Sequence, residues 1–101
     1  MDQKTFSRYF KAFGDPTRRR ILHLLSSKEM TVNEIVKAVG LSQPTVSRHL
    51  AILRDAGITT DRRDGQKVYY SLNKKAVANC CVCFCDDLKI KGPVAKGRKK
   101  R

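Results

Sequence analysis

Four thiols crowd into six residues, Cys80-Cys81-Val82-Cys83-Phe84-Cys85, and the chain holds no other cysteine. On a helix, at about 100° per residue, Cys80 and Cys83 share one face, while Cys81 and Cys85 share a neighbouring one. Each pair has the i,i+3 or i,i+4 spacing at which side chains meet. Soft thiolates select thiophilic ions and reject hard ones such as Mg²⁺. Trivalent arsenic or antimony suits three thiolates; Cd²⁺, Pb²⁺ or Zn²⁺ takes three or four. Four thiols on one straight helix all point outward, so such a site requires local unwinding or a second helix. Lys74, Lys75, Lys89 and Lys91 lie close by in sequence and are expected to lower the thiol pKa values, favouring metal capture and oxidation alike. Oxidation to a disulfide or polysulfide is the second chemistry open to these residues, with crosslinking between partner helices easier than along one helix. The third reading is packing, with cysteine as a small hydrophobe. Clustered this tightly, the thiols cannot staple distant parts of a fold. Cys80-Cys81-Val82-Cys83 contains a C-x-x-C, but no βαβ pattern surrounds it, so a thioredoxin-like enzyme is not indicated.

The second stretch able to do chemistry is 31–57. Thr31 and Glu34 form a capping box. Ile35, Val36 and Val39 give an apolar face, and Gly40 ends the helix where a left-handed residue is needed. Ser42 caps the next helix, with Gln43 and Pro44 in its first turn. Val46, Leu50 and Leu53 form one buried stripe. Gln43, Thr45, Ser47, Arg48 and Asp55 lie opposite, a polar face that suits entry into a DNA major groove. Two helices joined by a tight turn make a helix-turn-helix over residues 31–56.

Other elements must hold these two stretches in place. Residues 4–13 read as a first helix, with Phe6, Tyr9, Phe10 and Phe13 at helical spacing for core or dimer packing. Gly14 stops it. Asp15 then caps a second helix that runs to about Ser26, with Pro16 at its first position. Ile21, Leu22, Leu24 and Leu25 supply its core face, and Arg18, Arg19 and Arg20 a basic shoulder that either reaches phosphates or is solvated. His23, alone among aliphatic residues, reads as structural. Downstream, β-rich runs at 58–62 and 67–72 flank Asp64-Gly65, a hairpin signal. This two-stranded wing carries Arg62, Arg63 and Lys67 near its tip, where cations can lie along the minor groove or the adjacent backbone. Asn73 caps a last helix, about Lys74 to Leu88, that bears the cysteines.

The 101 residues carry 22 Lys and Arg against 9 Asp and Glu, a formal charge of +13. Seven of the basic residues lie in 89–101, so residues 1–88 keep fifteen basic against nine acidic, still an excess of six. A chain this basic expects a polyanion, and a helix-turn-helix makes it duplex DNA. One domain, 1–88, is expected, followed by a basic, disordered tail, 89–101, that adds sequence-independent affinity. No apolar run approaches a membrane span, and the N-terminus has no hydrophobic signal core. The expected location is therefore the cytoplasm, at the nucleoid. No paired carboxylates, nucleophile with base, or phosphate loop suggests an enzyme.

Helix, helix, helix-turn-helix, wing and terminal helix, α1-α2-α3-α4-β-β-α5, is a winged helix-turn-helix: mainly α with a small β-hairpin. Over about 4–88 the chain resembles the ArsR/SmtB family of bacterial and archaeal repressors. The resemblance rests on Phe13-Gly-Asp-Pro-Thr-Arg-Arg-Arg-Ile-Leu22, Leu41-Ser-Gln-Pro-Thr-Val-Ser-Arg-His-Leu-Ala-Ile-Leu-Arg-Asp-Ala-Gly-Ile58 and Arg62-Arg-Asp-Gly-Gln-Lys-Val-Tyr-Tyr-Ser-Leu72. It implies a homodimer, paired through the first and last helices, that binds palindromic double-stranded operator DNA and lets go when an inducer arrives. By the same resemblance Gln43, Thr45, Ser47, Arg48 and His49 occupy recognition-helix positions, with His49 either contacting a base or only packing or touching a phosphate. The departures lie in sensing. Arsenite sensors of the family carry a Cys-Val-Cys near the start of the first helix of the helix-turn-helix, where this chain reads Thr31-Val-Asn-Glu-Ile-Val-Lys37. Zinc sensors use Asp and His on the last helix, where this chain has Asp86 and Asp87 but no histidine. Cys80, Cys81, Cys83 and Cys85 are left as the candidate ligands, with arsenite, antimonite, Cd, Pb or Zn as inducer and no cofactor needed for DNA binding. The alternatives are a redox or reactive-sulfur sensor using the same thiols, and a DNA-binding factor without a sensor.

Overall fold

The computed structural model describes residues 2–91. Five helices follow one another as α1 (Gln3–Phe13), α2 (Pro16–Leu25), α3 (Val32–Val39), α4 (Gln43–Asp55) and α5 (Lys74–Asp87). Three strands, β1 (Met30–Thr31), β2 (Thr59–Asp64) and β3 (Lys67–Leu72), form an antiparallel sheet in the order β1-β3-β2. The basic tail expected over 89–101 lies, from residue 92, outside the described residues.

The caps expected from the sequence set the helix starts. Asp15, Thr31, Ser42 and Asn73 each accept the backbone N–H three residues on, and Asp2 does the same for α1. The capping box is reciprocal: Glu34 N–H donates to Thr31 Oγ1 at 3.3 Å, and Thr31 N–H to Glu34 Oε1 at 2.9 Å. Gly40 ends α3 at φ +72°. Gly57, at φ +77°, closes α4: its N–H donates to Arg54 O and that of Ile58 to Leu53 O. This is a Schellman closure, sealed by contact between the buried Leu53 and Ile58.

One core joins these elements. Ile21 of α2, Ile35 of α3, Val46, Leu50 and Leu53 of α4, and Ile58 ahead of the wing are all essentially inaccessible. Phe6, Tyr9 and Ala12 attach α1 to it, and Cys80 attaches α5. The helix-turn-helix is therefore held from behind by α2, and its angle is set by packing rather than by the turn alone.

The wing differs from the two-stranded expectation. Met30 pairs with Tyr70 and Thr31 with Tyr69, so a third, two-residue strand ties the entry of α3 to the hairpin. Two residues are too few to show an alternating pattern, which is why the sequence conceals this strand. In the hairpin, Thr59 to Asp64 pair in register with Leu72 to Lys67, leaving a loop of Gly65 and Gln66. Gly65 sits at φ +66° in the first loop position, where a primed hairpin turn requires a positive φ.

Candidate nucleic-acid interface and cysteine cluster

The recognition helix α4 is organised from its first turn. Thr45 N–H donates to Ser42 Oγ at 3.3 Å, and the Ser42 hydroxyl to Thr45 Oγ1 at 2.9 Å. Thr45 is half-buried, while Gln43, Ser47 and Arg48 are exposed. Three of the five sequence-identified residues thus share one open polar surface.

His49 is placed differently. Its side chain keeps only 16% of its surface, with Nδ1 3.1 Å from Arg18 Nη1 and 3.9 Å from Asp15 Oδ2. A guanidinium can only donate, so His49 Nδ1 accepts, and the ring proton resides on Nε2. The residue is turned towards α2 as a brace between the two helices.

The arginine shoulder also takes a role that the sequence did not disclose. Arg18 donates through Nε to Ala12 O at 3.1 Å and through Nη2 to Lys11 O at 2.9 Å. Arg19 donates to Phe13 O, and Arg20 to Ala38 O at 2.9 Å. All three cations satisfy carbonyls in the last turns of α1 and α3, where a positive charge also favours the helix dipole. Because these bonds join residues from 6 to 18 apart, no local spacing announces them.

On the wing, Arg63 and Lys67 are exposed and point away from the core. Arg62 is exposed too, but it pairs with Glu29, lies 3.9 Å from Asp64 and stacks over Tyr69 at 4.9 Å. Its charge is largely answered within the chain. Between wing and helix-turn-helix lies a concavity of about 450 Å³ whose lining includes Asn33, Glu34, Gln43, Gln66, Lys67 and Tyr69. Asn33 and Gln66 are polar groups that sequence reasoning did not single out; only the pairing of β1 with β3 brings them beside Gln43.

Only Cys80 is buried, and the other three cysteines are half-buried. Cys80 is 1% exposed within the core, and Cys83 packs against that core with Sγ donating to Asn79 Oδ1 at 3.9 Å. Cys81 and Cys85 are half-buried on the neighbouring side of α5. All four thiols are free. Burial pushes the Cys80 thiol pKa up, and the adjacent Cys81 and Cys83 add to the rise. At this thiol the lowering expected from nearby lysines gives way to a rise led by desolvation, with Lys74, Lys75, Lys89 and Lys91 all solvent-exposed at the two ends of the helix. Among the described residues no three Cys, His, Asp or Glu side chains converge as a metal site, as a straight helix requires. Beside the thiols, Phe84 meets Phe10 edge-on at 4.8 Å and Phe6 at 5.8 Å. Phe10, Phe84 and Leu88 stay open to solvent as an apolar strip across α1 and α5, while the exposed Val82 lies on the far side of α5. No helix among the described residues is long and apolar enough to cross a membrane.

Comparisons with known proteins agree with this architecture. Residues 15–60 match the family described as bacterial regulatory protein, arsR family. The transcriptional repressor SdpR of Bacillus subtilis (strain 168) is 50% identical over 64 residues, covering 63% of this chain and 71% of that protein. A probable mercury resistance operon repressor of Streptomyces lividans is 44% identical over 75 residues, 74% of this chain and 60% of its own length. The chain thus spans somewhat less than two thirds of that relative's length. A crystal structure of a possible transcriptional regulator for arsenical resistance superimposes with a TM-score of 0.70 at 36% identity, covering 81% of this chain and 84% of that one. These relatives are transcriptional regulators rather than enzymes, and with a winged helix-turn-helix fold shared throughout, the chain belongs to the arsR family of bacterial regulatory proteins.

Proposed function

We propose that this protein is a dimeric transcriptional repressor that holds operator DNA through α4 and the wing and releases it when a thiophilic metal or metalloid binds the Cys80–Cys85 cluster. The observation that carries the DNA reading is the open face of Gln43, Ser47 and Arg48 beside the free wing cations Arg63 and Lys67. Gln43 and Arg48 have the side chains that pair bidentately with adenine and guanine edges in the major groove, and the wing cations suit phosphate. Thr45 and His49 fit contacts at the edge of this surface, His49 through Nε2–H to a phosphate. Arg62 joins the phosphate contacts only by giving up Glu29.

Support for a second copy comes from α1 and α5. Phe10 keeps 41% of its surface exposed, Phe84 37% and Leu88 52%, a cost that pairing through these helices removes. Two-fold pairing sets the recognition helices about one DNA turn apart. Residues 1–88 form the domain that binds DNA and dimerises, and the basic tail from residue 89 adds affinity without sequence preference. The setting is the bacterial cytoplasm, at the nucleoid. For the inducer, support comes from the soft donor set and from relatives named for mercury resistance and arsenical resistance.

The test is fluorescence anisotropy with a duplex selected by the protein from a genomic library. Arg48→Ala is expected to weaken selected duplex by about 1–3 kcal/mol and to relax preference at one base position. An Arg48→Ala protein with unchanged affinity and sequence preference would overturn the assignment of α4.

A further inference from the structure

The four thiols are unequal, and their inequality names a ligand class. We infer that Cys81 and Cys85 form a two-thiolate clamp, within one protomer, for soft electrophiles satisfied by two sulfurs, while Cys80 and Cys83 serve as packing residues. This inference rests on the proposed sensing role of the cluster and narrows it.

Packing supplies the first argument: Cys81, Cys83 and Cys85 are all half-buried, but of the three only Cys83 packs against the core. Cys80 lies wholly inside the core, and Cys83 packs against it with its thiol donating to Asn79. A ligand reaching Cys80 must open the contact between α5 and the body of the protein. Cys81 and Cys85 are each half-exposed on the other side, one helical turn apart.

Geometry supplies the second. Side chains at i and i+4 have Cβ atoms about 5–6 Å apart, whereas a disulfide needs roughly 3.5–4.5 Å. Direct oxidation of this pair therefore demands distortion of α5. A bridging atom removes the conflict: with sulfur bonds near 2.3 Å, it separates the two sulfurs by up to about 4.6 Å. Three-thiolate ligation fails within one chain because no third donor converges. The ligands that remain bind two sulfurs and stop there. One is linear Hg²⁺, which takes two thiols as Hg²⁺ + 2 RSH → Hg(SR)₂ + 2 H⁺. The other is a singly substituted trivalent arsenical, R′As(OH)₂ + 2 RSH → R′As(SR)₂ + 2 H₂O. Neither step changes an oxidation state, so no oxidant or reductant is needed. Inorganic arsenite, which calls for three sulfurs, is excluded from this clamp.

The experiment titrates the reduced full-length protein with Hg²⁺, phenylarsine oxide or arsenite in separate series. Stoichiometry is read by native mass spectrometry, and affinity by competition with a small dithiol. One Hg²⁺ or one phenylarsenic group per chain is expected, with arsenite held far more weakly. Cys81→Ser and Cys85→Ser each remove the chelate advantage and are expected to weaken binding about 100-fold or more. Cys80→Ala and Cys83→Ser remove no donor of the clamp and are expected to leave the affinity at its wild-type value. Circular dichroism confirms that each variant keeps its helix content, and the two half-exposed positions serve as substitutes for each other if one fails to fold. Equal losses at Cys80 and Cys81, or arsenite bound as tightly as phenylarsine oxide, would overturn the clamp. Operator release is measured separately on the same proteins. A clamp that binds without releasing DNA refutes the sensing role and leaves the clamp standing; release that survives Cys81→Ser and Cys85→Ser refutes the clamp and leaves sensing standing.

Discussion

Single residues here do more bracing than their types suggest. Arg18 is a surface cation by composition, yet it closes the last turn of α1 and reaches across to His49 on the recognition helix. Its loss leaves two carbonyls and a ring nitrogen without a donor. Arg18→Ala is therefore expected to destabilise the fold by about 1.5–3 kcal/mol, the range for hydrogen bonds to a charged group, and urea denaturation measures it. Asp15 works on the same joint. The Arg18 backbone N–H, with the Arg18 charge behind it, holds the Asp15 carboxyl below its ordinary pKa. A folded-state pKa lower than the unfolded one stabilises the protein above the ordinary carboxylate range, and that contribution is lost as pH falls through the lowered value. Thermal unfolding of Asp15→Asn against wild type should thus differ at neutral pH and converge on acidification. A difference that grows below pH 4 would contradict the assigned sign.

At the scale of elements, what is local was legible and what is distant was not. Thr31, Ser42 and Asn73 declare their helices because a cap acts three residues away, and Gly40 declares an end because a left-handed residue favours glycine. The stripe of Val46, Leu50 and Leu53 is equally plain. By contrast, β1 has only two residues, and the partnership of Glu29 with Arg62 spans 33 positions. Helical spacing alone puts Cys80 beside Cys83, but only the packing of α5 shows that this side faces the core. The wing follows from the same distinction. Arg63 and Lys67 have no acidic partner among the described residues' ion pairs, whereas Arg62 has two. Replacing Lys67 or Arg63 by Ala should lower the slope of log affinity against log salt by about one each, the value for one lost phosphate contact. Arg62→Ala should lower it by less, and an equal drop at all three positions would show that Glu29 releases Arg62 on the DNA.

The whole molecule is a small basic body with an apolar strip across α1 and α5 and a DNA-directed face on α4 and the wing. Stability and function meet on that strip, because Phe84 packs on Phe6 and Phe10 and still leaves surface for a partner. Leu88→Glu places a charge on the strip, one helical turn from Phe84, without removing the aromatic contacts. Sedimentation velocity should then show a monomer at micromolar concentration, with operator affinity falling together with dimer content. An unchanged dimer would move the pairing surface elsewhere. The account as a whole depends on a link between thiol chemistry and DNA release. That link requires the inducer to bind the DNA-free conformation more tightly than the DNA-bound one. It is tested most directly by operator anisotropy at fixed salt on reduced protein, titrated with phenylarsine oxide or Hg²⁺, for wild type and for the chain with all four cysteines replaced by serine. The account predicts release of wild type near one equivalent per chain and full retention of DNA by the serine protein. Release that is identical in the two proteins, or absent from both, would contradict it.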